Sequence, residues 1–358
     1  MRRLLFSLIF CLCALPVAAT NIGRISAPAA PLYWNFLNWQ VLPPWIGFTR
    51  ANCSPSSSCA TNAQYTDAAG ASFSTFATNV PVFSSTLGVA AQEARTNYLV
   101  NSGAPVTQTT ASLATGYYAL FCNGTGSITS LAVTATASGV GALTCNSSTF
   151  QVIDVTVSGT ISLTVVGSVN WGDLQNLPGG ATSTPTTHIV SGASSTTRPV
   201  DSFVPAQALK QFAIAQPNSA SYVAEFTTQS AISYTGILAD NGTGHFNFNI
   251  FKSGTLSGHP YSSIAGASST NLASCGATVT VNSLVRYGAT IGLGNFLMSS
   301  SGSSCTKAGF SITSAGVTGG YTALFSGANL WVTQFAAYPY QLSQSILNGK
   351  TTAGATLP

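Results

Sequence analysis

Charged residues are scarce in this sequence. Its 358 residues include 11 lysines and arginines and 7 aspartates and glutamates, so that 5% of the chain is charged. A soluble globular domain usually contains about 25%. A disordered chain is excluded, because such chains combine high charge with few aromatic residues, whereas this one has 19 Phe, 12 Tyr and 5 Trp.

The few basic residues are too dispersed for nucleic-acid binding, which needs clustered Lys and Arg. A coiled coil is excluded as well, because Ala, Leu, Glu and Lys do not dominate at a helical period. Without Arg2 and Arg3 of the leader described next, 11 − 2 = 9 basic residues stand against 7 acidic ones. Electrostatic steering to an anionic partner is therefore not expected. What remains is a β-rich chain with an uncharged polar surface.

The N-terminus has the pattern of a secretory signal peptide over residues 1–19. Arg2 and Arg3 form a positive start, Leu4–Leu15 is apolar, and Val17-Ala18-Ala19 offers small residues before a cut. The apolar run is shorter than the roughly 20 residues that span a bilayer. An uncleaved anchor is the alternative. We expect an exported protein, secreted or at the cell surface, with no membrane contact after cleavage.

The cysteines agree with export. Six remain after the signal, and an even number in an exported chain favours disulfides. Six cysteines allow 15 connectivities, and we predict sequential pairs because each pair falls within a separate stretch of chain. Metal binding is disfavoured because no two of them are spaced as C-x-x-C. The predicted pairs are Cys53–Cys59, Cys122–Cys145 and Cys275–Cys305.

The spacing of apolar runs predicts an all-β fold of two antiparallel β-sandwiches, the C-terminal one a jelly roll. Short runs rich in Val, Ile, Thr and Tyr alternate with glycine turns, which is typical of sandwiches. In residues 161–165, strict alternation turns one apolar face inward. A short helix is predicted from Ser343, as N-cap, to Leu347. The predicted divisions are a signal peptide (1–19), a Pro/Trp-rich lead segment (20–48), an irregular segment (49–101), a small sandwich (102–185), a linker (186–200), the jelly roll (201–350) and a tail (351–358).

Catalytic groups are few. The sequence has no G-x-S-x-G elbow, and its three histidines, His188, His245 and His259, match no metal-ligand spacing. We interpret them as solvated loop or strand-end residues, with His188 in the linker. A glycosidase needs two carboxylates, and in the second block Glu225 and Asp240 could meet across a sheet. A surface salt bridge or turn cap is the alternative, and no catalytic residue or cofactor is assigned.

The remaining signal is aromatic residues on a β surface with little charge. Tyrosine faces can stack on sugar rings, while Asn, Ser and Thr bond to hydroxyls without charge. Asp240-Asn241-Gly242 is first a turn signal, with calcium binding as the alternative. The candidate ligand-binding residues are Tyr222, Tyr234, Asp240, Asn241, His245, Tyr261 and Tyr321.

Residues 48–103 carry a specific pattern. Leu87-Gly88-Val89 runs into the segment 92–102, which reads Gln-Glu-Ala-Arg-Thr-Asn-Tyr-Leu-Val-Asn-Ser. The pattern resembles the "LG-hydrophobic…E-x-R-T-N-L-L-x-N-S" signature of tail-fibre, head-fibre and tail-spike proteins of bacteriophages and prophages. In that family a leader module, here 49–101, joins a small β-sandwich. The segment 197–201, Thr-Arg-Pro-Val-Asp, which leads from the small sandwich into the next domain, also fits the family.

Residues 202–350 resemble, more loosely, a concanavalin-A-like or laminin-G-like lectin domain, most clearly in the last strand and hook at 332–343. Both resemblances imply binding to carbohydrate or a cell surface and supply no catalytic residue. A signal peptide and three disulfides depart from the phage family. The departure implies either an exported chromosomal derivative or a virion protein that matures outside the cytosol.

Three hypotheses follow. The first is an exported, non-enzymatic protein that binds glycan or a cell-surface polysaccharide through its C-terminal domain. The second is a structural appendage or virion fibre component that self-assembles, as a trimer if it is fibre-like. The third is a polysaccharide-degrading enzyme that uses Glu225 and Asp240. A fold does not determine a function. The positions of Glu225, Asp240 and the candidate ligand-binding residues in the structure are therefore needed to discriminate between the three hypotheses.

Overall fold

A computed structural model gives the fold of most of the chain. The described residues are 30–38, 42–44, 46–50, 81–84, 87–146, 149–205, 219–229, 234–239, 246–251, 259–264, 272–274, 278–292, 295–305, 323–326 and 329–358. They form 25 strands and one helix, and every strand pairing among them is antiparallel. The predicted all-β class is confirmed. Within these residues, no helix is long and apolar enough to cross a bilayer.

The strands of the first half of the chain are β1 (Leu32–Asn35), β2 (Ile46–Arg50), β3 (Val82–Ser84), β4 (Gly88–Ala91), β5 (Arg95–Asn97), β6 (Gln108–Thr109), β7 (Gly116–Gly124), β8 (Ser127–Ala132), β9 (Thr136–Ser138), β10 (Ala142–Thr144), β11 (Phe150–Val157), β12 (Ile161–Val166) and β13 (Val169–Asn176). The remaining elements are β14 (Thr196–Arg198), β15 (Asp201–Pro205), β16 (Ser219–Thr228), β17 (Tyr234–Ala239), β18 (Phe246–Phe251), β19 (His259–Ile264), β20 (Leu272–Ser274), β21 (Leu284–Gly292), β22 (Asn295–Ser300), β23 (Ser303–Ser304), β24 (Ala323–Ser326), β25 (Leu330–Tyr338) and α1 (Gln344–Thr351).

The small sandwich consists of a four-stranded sheet and a six-stranded sheet. Their strand orders are β10-β8-β12-β6 and β14-β5-β13-β7-β11-β9. Alternate residues of each strand point between the sheets, as the period of two requires. Ile128 and Leu163 of the first sheet meet Leu120, Ile153 and other apolar residues of the second in one buried cluster.

The larger sandwich pairs an eight-stranded sheet with a seven-stranded one. The first runs β23-β22-β21-β16-β25-β4-β3, with β1 also paired to β25, and the second runs β2-β15-β24-β17-β18-β19-β20. Phe325 lies at the centre of the core between them. Its ring lies edge-on to Phe203 at 5.7 Å and to Phe335 at 5.8 Å between ring centroids, a favoured geometry for aromatic pairs.

The small sandwich is inserted into the larger one. Strands β1 to β4 precede it and β15 to β25 follow it, yet both groups share the same two sheets. The sequence analysis places two sandwiches in succession, with 20–48 as an extended lead segment. The structure differs because Trp34 and Phe36 of this segment pack on the larger core. Burial of a side chain such as Phe36 stabilises the fold by about 1.5–3 kcal/mol.

The segment between β13 and β14, residues 177–195, covers the outer face of the six-stranded sheet and is called the strap here. The sequence analysis predicts a linker over 186–200. Instead, Thr186, Thr187, His188 and Ile189 are all buried. The Pro/Gly/Ser/Thr composition correctly indicates irregular backbone, but polar side chains of the sheet bind that backbone and exclude water.

The C-terminal helix confirms the predicted N-cap. The Ser343 side chain accepts a hydrogen bond from the backbone N–H of Ile346, and the helix α1 then extends beyond the predicted end at Leu347. Leu347 is buried with Val223 and with Leu357 of the tail. The helix and tail therefore cover part of the outer face of the eight-stranded sheet, next to β21 and β22.

A disulfide joins Cys122 to Cys145, as predicted. Cys122 lies on β7 of one sheet and Cys145 follows β10 of the other, so the bond crosses the buried core of the small sandwich. Cys305 is also disulfide-bonded. Its predicted partner, Cys275, and the predicted pair Cys53–Cys59 lie outside the described residues and stay predictions.

Candidate functional site

The structure removes one predicted ligand-binding residue. Tyr222 is 1% exposed and belongs to the core of the larger sandwich. Its strand, β16, lies between β21 and β25 in the middle of the eight-stranded sheet. The prediction that Tyr222 contacts a ligand is wrong, because the seven-stranded sheet and the core side chains cover it completely.

The other predicted ligand residues stay predictions. Tyr234 begins β17 and Tyr261 lies on β19, both in the seven-stranded sheet, and only their backbone is described. The rest, Asp240, Asn241, His245 and Tyr321, lie outside the described residues. Among the residues that are described, no group of three or more His, Cys, Asp or Glu could hold a metal ion.

Glu225, a candidate catalytic carboxylate, is fully engaged in the structure. One of its oxygens accepts a hydrogen bond from Nε of Arg286. The other accepts hydrogen bonds from Oγ1 of Thr333 at 2.7 Å and from Nε2 of Gln334 at 3.2 Å. Arg286 in turn donates to backbone carbonyls of the C-terminal tail, including Thr352 at 3.3 Å. Glu225 is 4% exposed and ties the tail to the sheet.

His188 is a buried strap residue and not a solvated one, so that prediction is wrong. Its Nδ1 lies 2.6 Å from Oδ1 of Asp173, and its ring stacks on Trp171 with centroids 4.7 Å apart. The carboxylate of Asp173 also accepts hydrogen bonds from Gln175 at 2.7 Å and from the backbone N–H of Ile189 at 2.8 Å. Burial raises the pKa of the Asp173 carboxyl, and these partners oppose the shift.

The fibre-like signature is part of the same buried cluster. Nδ2 of Asn97 donates to Asp173 at 2.7 Å and to the strap carbonyl of Ile189 at 2.8 Å. Ser102 donates to the same carbonyl at 3.0 Å. Arg95 pairs with Glu93, and burial lowers the pKa of its guanidinium. These signature residues hold the strap and the sheet together and are inaccessible to a large ligand.

Polar contacts also join the two sandwiches. The backbone N–H of Gln92 donates to the Asp201 carboxylate at 3.1 Å, and the N–H of Asp201 donates to the Gln92 carbonyl at 2.8 Å. Nη1 of Arg198 donates to Oε1 of Gln92 at 2.6 Å. The backbone N–H of Thr184 in the strap bonds to the carbonyl of Gln229 at 2.8 Å. The strap therefore contacts the larger sandwich as well.

The exposed candidate site is the outer face of the four-stranded sheet, on the side of the small sandwich away from the strap. It is called the hydroxyl face here. The pairing registers place its residues in three rows across the strands. The rows are Thr144–Ser127–Val166, Ala142–Thr129–Thr164 and Leu131–Ser162–Thr109.

The hydroxyls of this face have no partner within the part of the chain that the structure describes. Six side chains carry them: Thr109, Ser127, Thr129, Thr144, Ser162 and Thr164. Two exposed aliphatic residues occupy different rows, Leu131 with 63% and Val166 with 57% of its surface accessible. The face therefore offers unpaired donors and acceptors beside apolar surface.

The hydroxyl face carries no charge. Between Arg95 and Asp173 the only charged residue is Asp154, and Asp154 lies on β11 of the other sheet. The alternation in residues 161–165 predicts the buried side of β12. The same alternation places Ser162 and Thr164 outward, and it is the sequence signal for the hydroxyl face, which the predicted ligand-binding residues do not include.

Comparison with known proteins gives no family. No family model matches the chain, and no curated protein matches it either. Solved structures match at low TM-scores. One is a carbohydrate-binding module (CBM40) of the Ruminococcus gnavus IT-sialidase bound to α2,3-sialyllactose, with 15% identity, a TM-score of 0.31, and coverage of 39% of this chain and 85% of that one.

Another is a native heptameric SAP-like pentraxin from Limulus polyphemus, with 7% identity, a TM-score of 0.31, and coverage of 75% of this chain and 85% of that one. A third is the binding domain of botulinum neurotoxin DC in complex with rat synaptotagmin II, with 12% identity, a TM-score of 0.31, and coverage of 46% and 42%. The chain spans 39% of a further match, a receptor-binding domain.

Proposed function

We propose that this chain is an exported, non-enzymatic protein that binds carbohydrate or a cell surface. The observation that carries the proposal is the hydroxyl face, an exposed and uncharged sheet surface whose hydroxyls lack partners among the described residues. Sugar hydroxyls are recognised by such groups without charge. The disulfide between Cys122 and Cys145 fits an oxidising, extracellular compartment.

The engagement of Glu225 and Asp173 supports binding over catalysis by these two carboxylates. Glu225 is held by Arg286, Thr333 and Gln334, and Asp173 is enclosed beneath the strap. A general acid or base must come within about 2.6–3.2 Å of the proton that it transfers. Neither carboxylate can do so without disrupting the packing around it.

The short edges of the four-stranded sheet favour ligand binding over assembly by strand addition. Its edge strands are β6, with two residues, and β10, with three. The free side of β12 is partly closed as well, because Oγ1 of Thr107 accepts a hydrogen bond from the N–H of Val165 at 3.0 Å. Short or blocked edges are a common protection against edge-to-edge pairing.

A glycan array combined with polysaccharide pull-down tests the proposal. The oxidised chain without residues 1–19 is incubated with each carbohydrate and with whole cells, and released reducing ends are measured in the same tubes. We expect retention on at least one carbohydrate without release of sugar. Release of sugar from any of them, or no retention on any carbohydrate or cell surface, would overturn the proposal.

A further inference from the structure

We infer that the ligand of the hydroxyl face is a neutral polysaccharide, bound as an extended polymer and not as a short oligosaccharide. This inference rests on the proposed function and specifies the ligand class of the same site. It follows from three properties of the face, which are its lack of charge, its regular array of hydroxyls and its lack of aromatic residues.

The absence of cations disfavours an anionic ligand. Recognition of a carboxylate or sulfate normally uses Arg, Lys or a helix N-terminus. The small sandwich has no Lys or Arg between Arg95 and Asp173. Arg95 itself is 1% exposed and lies at the opposite sheet. An acidic sugar on the hydroxyl face would lose hydration without gaining a counter-charge.

The arrangement of the hydroxyls suits an extended ligand. Side chains on one face of a strand repeat about every 6.8 Å, and neighbouring strands lie about 4.8 Å apart. Thr129 and Thr164 are cross-strand neighbours at the centre of the array, and Thr144 and Thr109 lie on its two edge strands. Such a surface contacts one side of a long chain at many points and does not enclose a terminal sugar.

Each contact on this face is weak. The rows contain only Ser, Thr, Ala, Leu and Val, so no aromatic ring is present to stack on a sugar. A typical hydrogen bond that exchanges with water contributes about 0.5–1.5 kcal/mol. Useful affinity therefore requires many contacts along one polymer, and it increases when linked binding units raise the effective concentration.

The test uses the oxidised chain without residues 1–19 and three sets of probes. Neutral polymers are mannan, dextran and β-1,3-glucan particles, anionic polymers are alginate and polysialic acid, and short probes are neutral oligosaccharides of the same linkages. The variant Thr129→Val/Thr164→Val removes two central hydroxyls and keeps side-chain shape and strand propensity. Thr136→Val is the matched control, because Thr136 is exposed on β9 of the other sheet.

We expect binding to at least one neutral polymer, no measurable binding to its short oligosaccharides, and about tenfold weaker binding by the double variant, the loss of roughly two weak hydrogen bonds. Thr136→Val should bind like the wild type. Equal thermal unfolding of both variants shows that the fold is intact.

Three results would separate this inference from the proposed function. Binding only to anionic polymers, binding to short oligosaccharides as tight as to the polymer, or binding that the double variant leaves unchanged would overturn the inference and leave carbohydrate binding in place. No binding to any carbohydrate or cell surface would overturn both.

Discussion

The side-chain amide of Asn97 donates a hydrogen bond to the carboxylate of Asp173 over 2.7 Å. The amide oxygen of the same residue accepts from the backbone N–H groups of Leu99 at 3.1 Å and Leu174 at 2.9 Å. Through its further bond to Ile189, one buried side chain connects strands β5 and β13 to the strap. The asparagine of the fibre-like signature, Asn97, is therefore explained by packing.

We expect Asn97→Ala to destabilise the small sandwich by about 3 kcal/mol or more. The change leaves the backbone N–H groups of Leu99 and Leu174 without their acceptor, and each unsatisfied buried group costs about 1–3 kcal/mol. Urea unfolding followed by tyrosine and tryptophan fluorescence measures the change. Trp171 reports on the strap directly, because it stacks on His188.

Asn170→Ala is the matched control for this prediction. Asn170 is exposed, and within the described part of the chain its side chain bonds only to the side chain of Asn123, at 3.1 Å. Its loss should change the unfolding free energy by less than about 0.5 kcal/mol, as at most surface sites. Equal effects of the two substitutions would show that the network around Asn97 does not hold the strap.

The sequence was sufficient for the features that depend on local periodicity. Alternation of apolar residues identified β12, and the position of Ser343 identified the start of α1. Spacing within one block identified the Cys122–Cys145 disulfide. In each case the determining residues are neighbours in the sequence, or lie in one sandwich.

The features that the sequence analysis missed depend on long-range pairing. Nothing local to Leu32–Asn35 shows that this strand pairs with β25, about 300 residues later. Tyr222 is an aromatic residue in a β stretch with little charge, which fits a surface residue, but two neighbouring strands and a second sheet bury it. His188 lies in turn-rich sequence, and only the distant Asp173 makes it a core residue.

We expect Gly88→Ala to destabilise the larger sandwich strongly. Gly88 has a φ of +88°, and a Cβ added there would lie 2.1 Å from the carbonyl oxygen of Val332 on β25. The left-handed backbone alone costs a residue with a side chain about 1–2 kcal/mol, and overpacking adds about 1–3 kcal/mol. Calorimetry should show a lower midpoint for the transition of the larger sandwich. This close approach explains the glycine of the Leu87-Gly88-Val89 motif.

Gly180→Ala separates the cost of the left-handed backbone from the cost of overpacking against β25. Gly180 has a similar φ of +90°, but an added Cβ there would meet no atom within 4 Å. We expect only the backbone cost of about 1–2 kcal/mol. If both substitutions lower stability equally, the approach of Gly88 to β25 is not a constraint on the fold.

Removal of the Cys122–Cys145 disulfide should destabilise the small sandwich by about 3 kcal/mol, the chain-entropy value for a loop of this length. The two cysteines are 23 residues apart in sequence and connect facing sheets. The double variant Cys122→Ala/Cys145→Ala is compared with the wild type in urea under oxidising conditions. Under reducing conditions the difference in unfolding free energy between the two proteins should shrink to the cost of the lost side-chain packing alone. A difference that stays unchanged under reducing conditions would argue against the cross-link as its source.

Tyr118 should make the stability of the small sandwich sensitive to alkaline pH. Burial, with a contribution from Tyr98, raises the pKa of its phenol to about 12. A raised pKa means that the folded state favours the protonated phenol. The stabilisation is therefore complete below the ordinary pKa of about 10 and is lost as the pH rises through about 12.

Tyr118→Phe removes this dependence. At pH 8 the variant should be less stable by about 1 kcal/mol, because the hydroxyl no longer donates to the carbonyl of Ala114. The difference should shrink or reverse between pH 10 and about 12, where only the wild type has to expose or ionise the buried phenol. Tyr117→Phe, at an exposed position on the same strand, is the control. The urea midpoints of the wild type and both variants are measured across this pH range. Parallel pH profiles for the wild type and Tyr118→Phe would contradict the prediction.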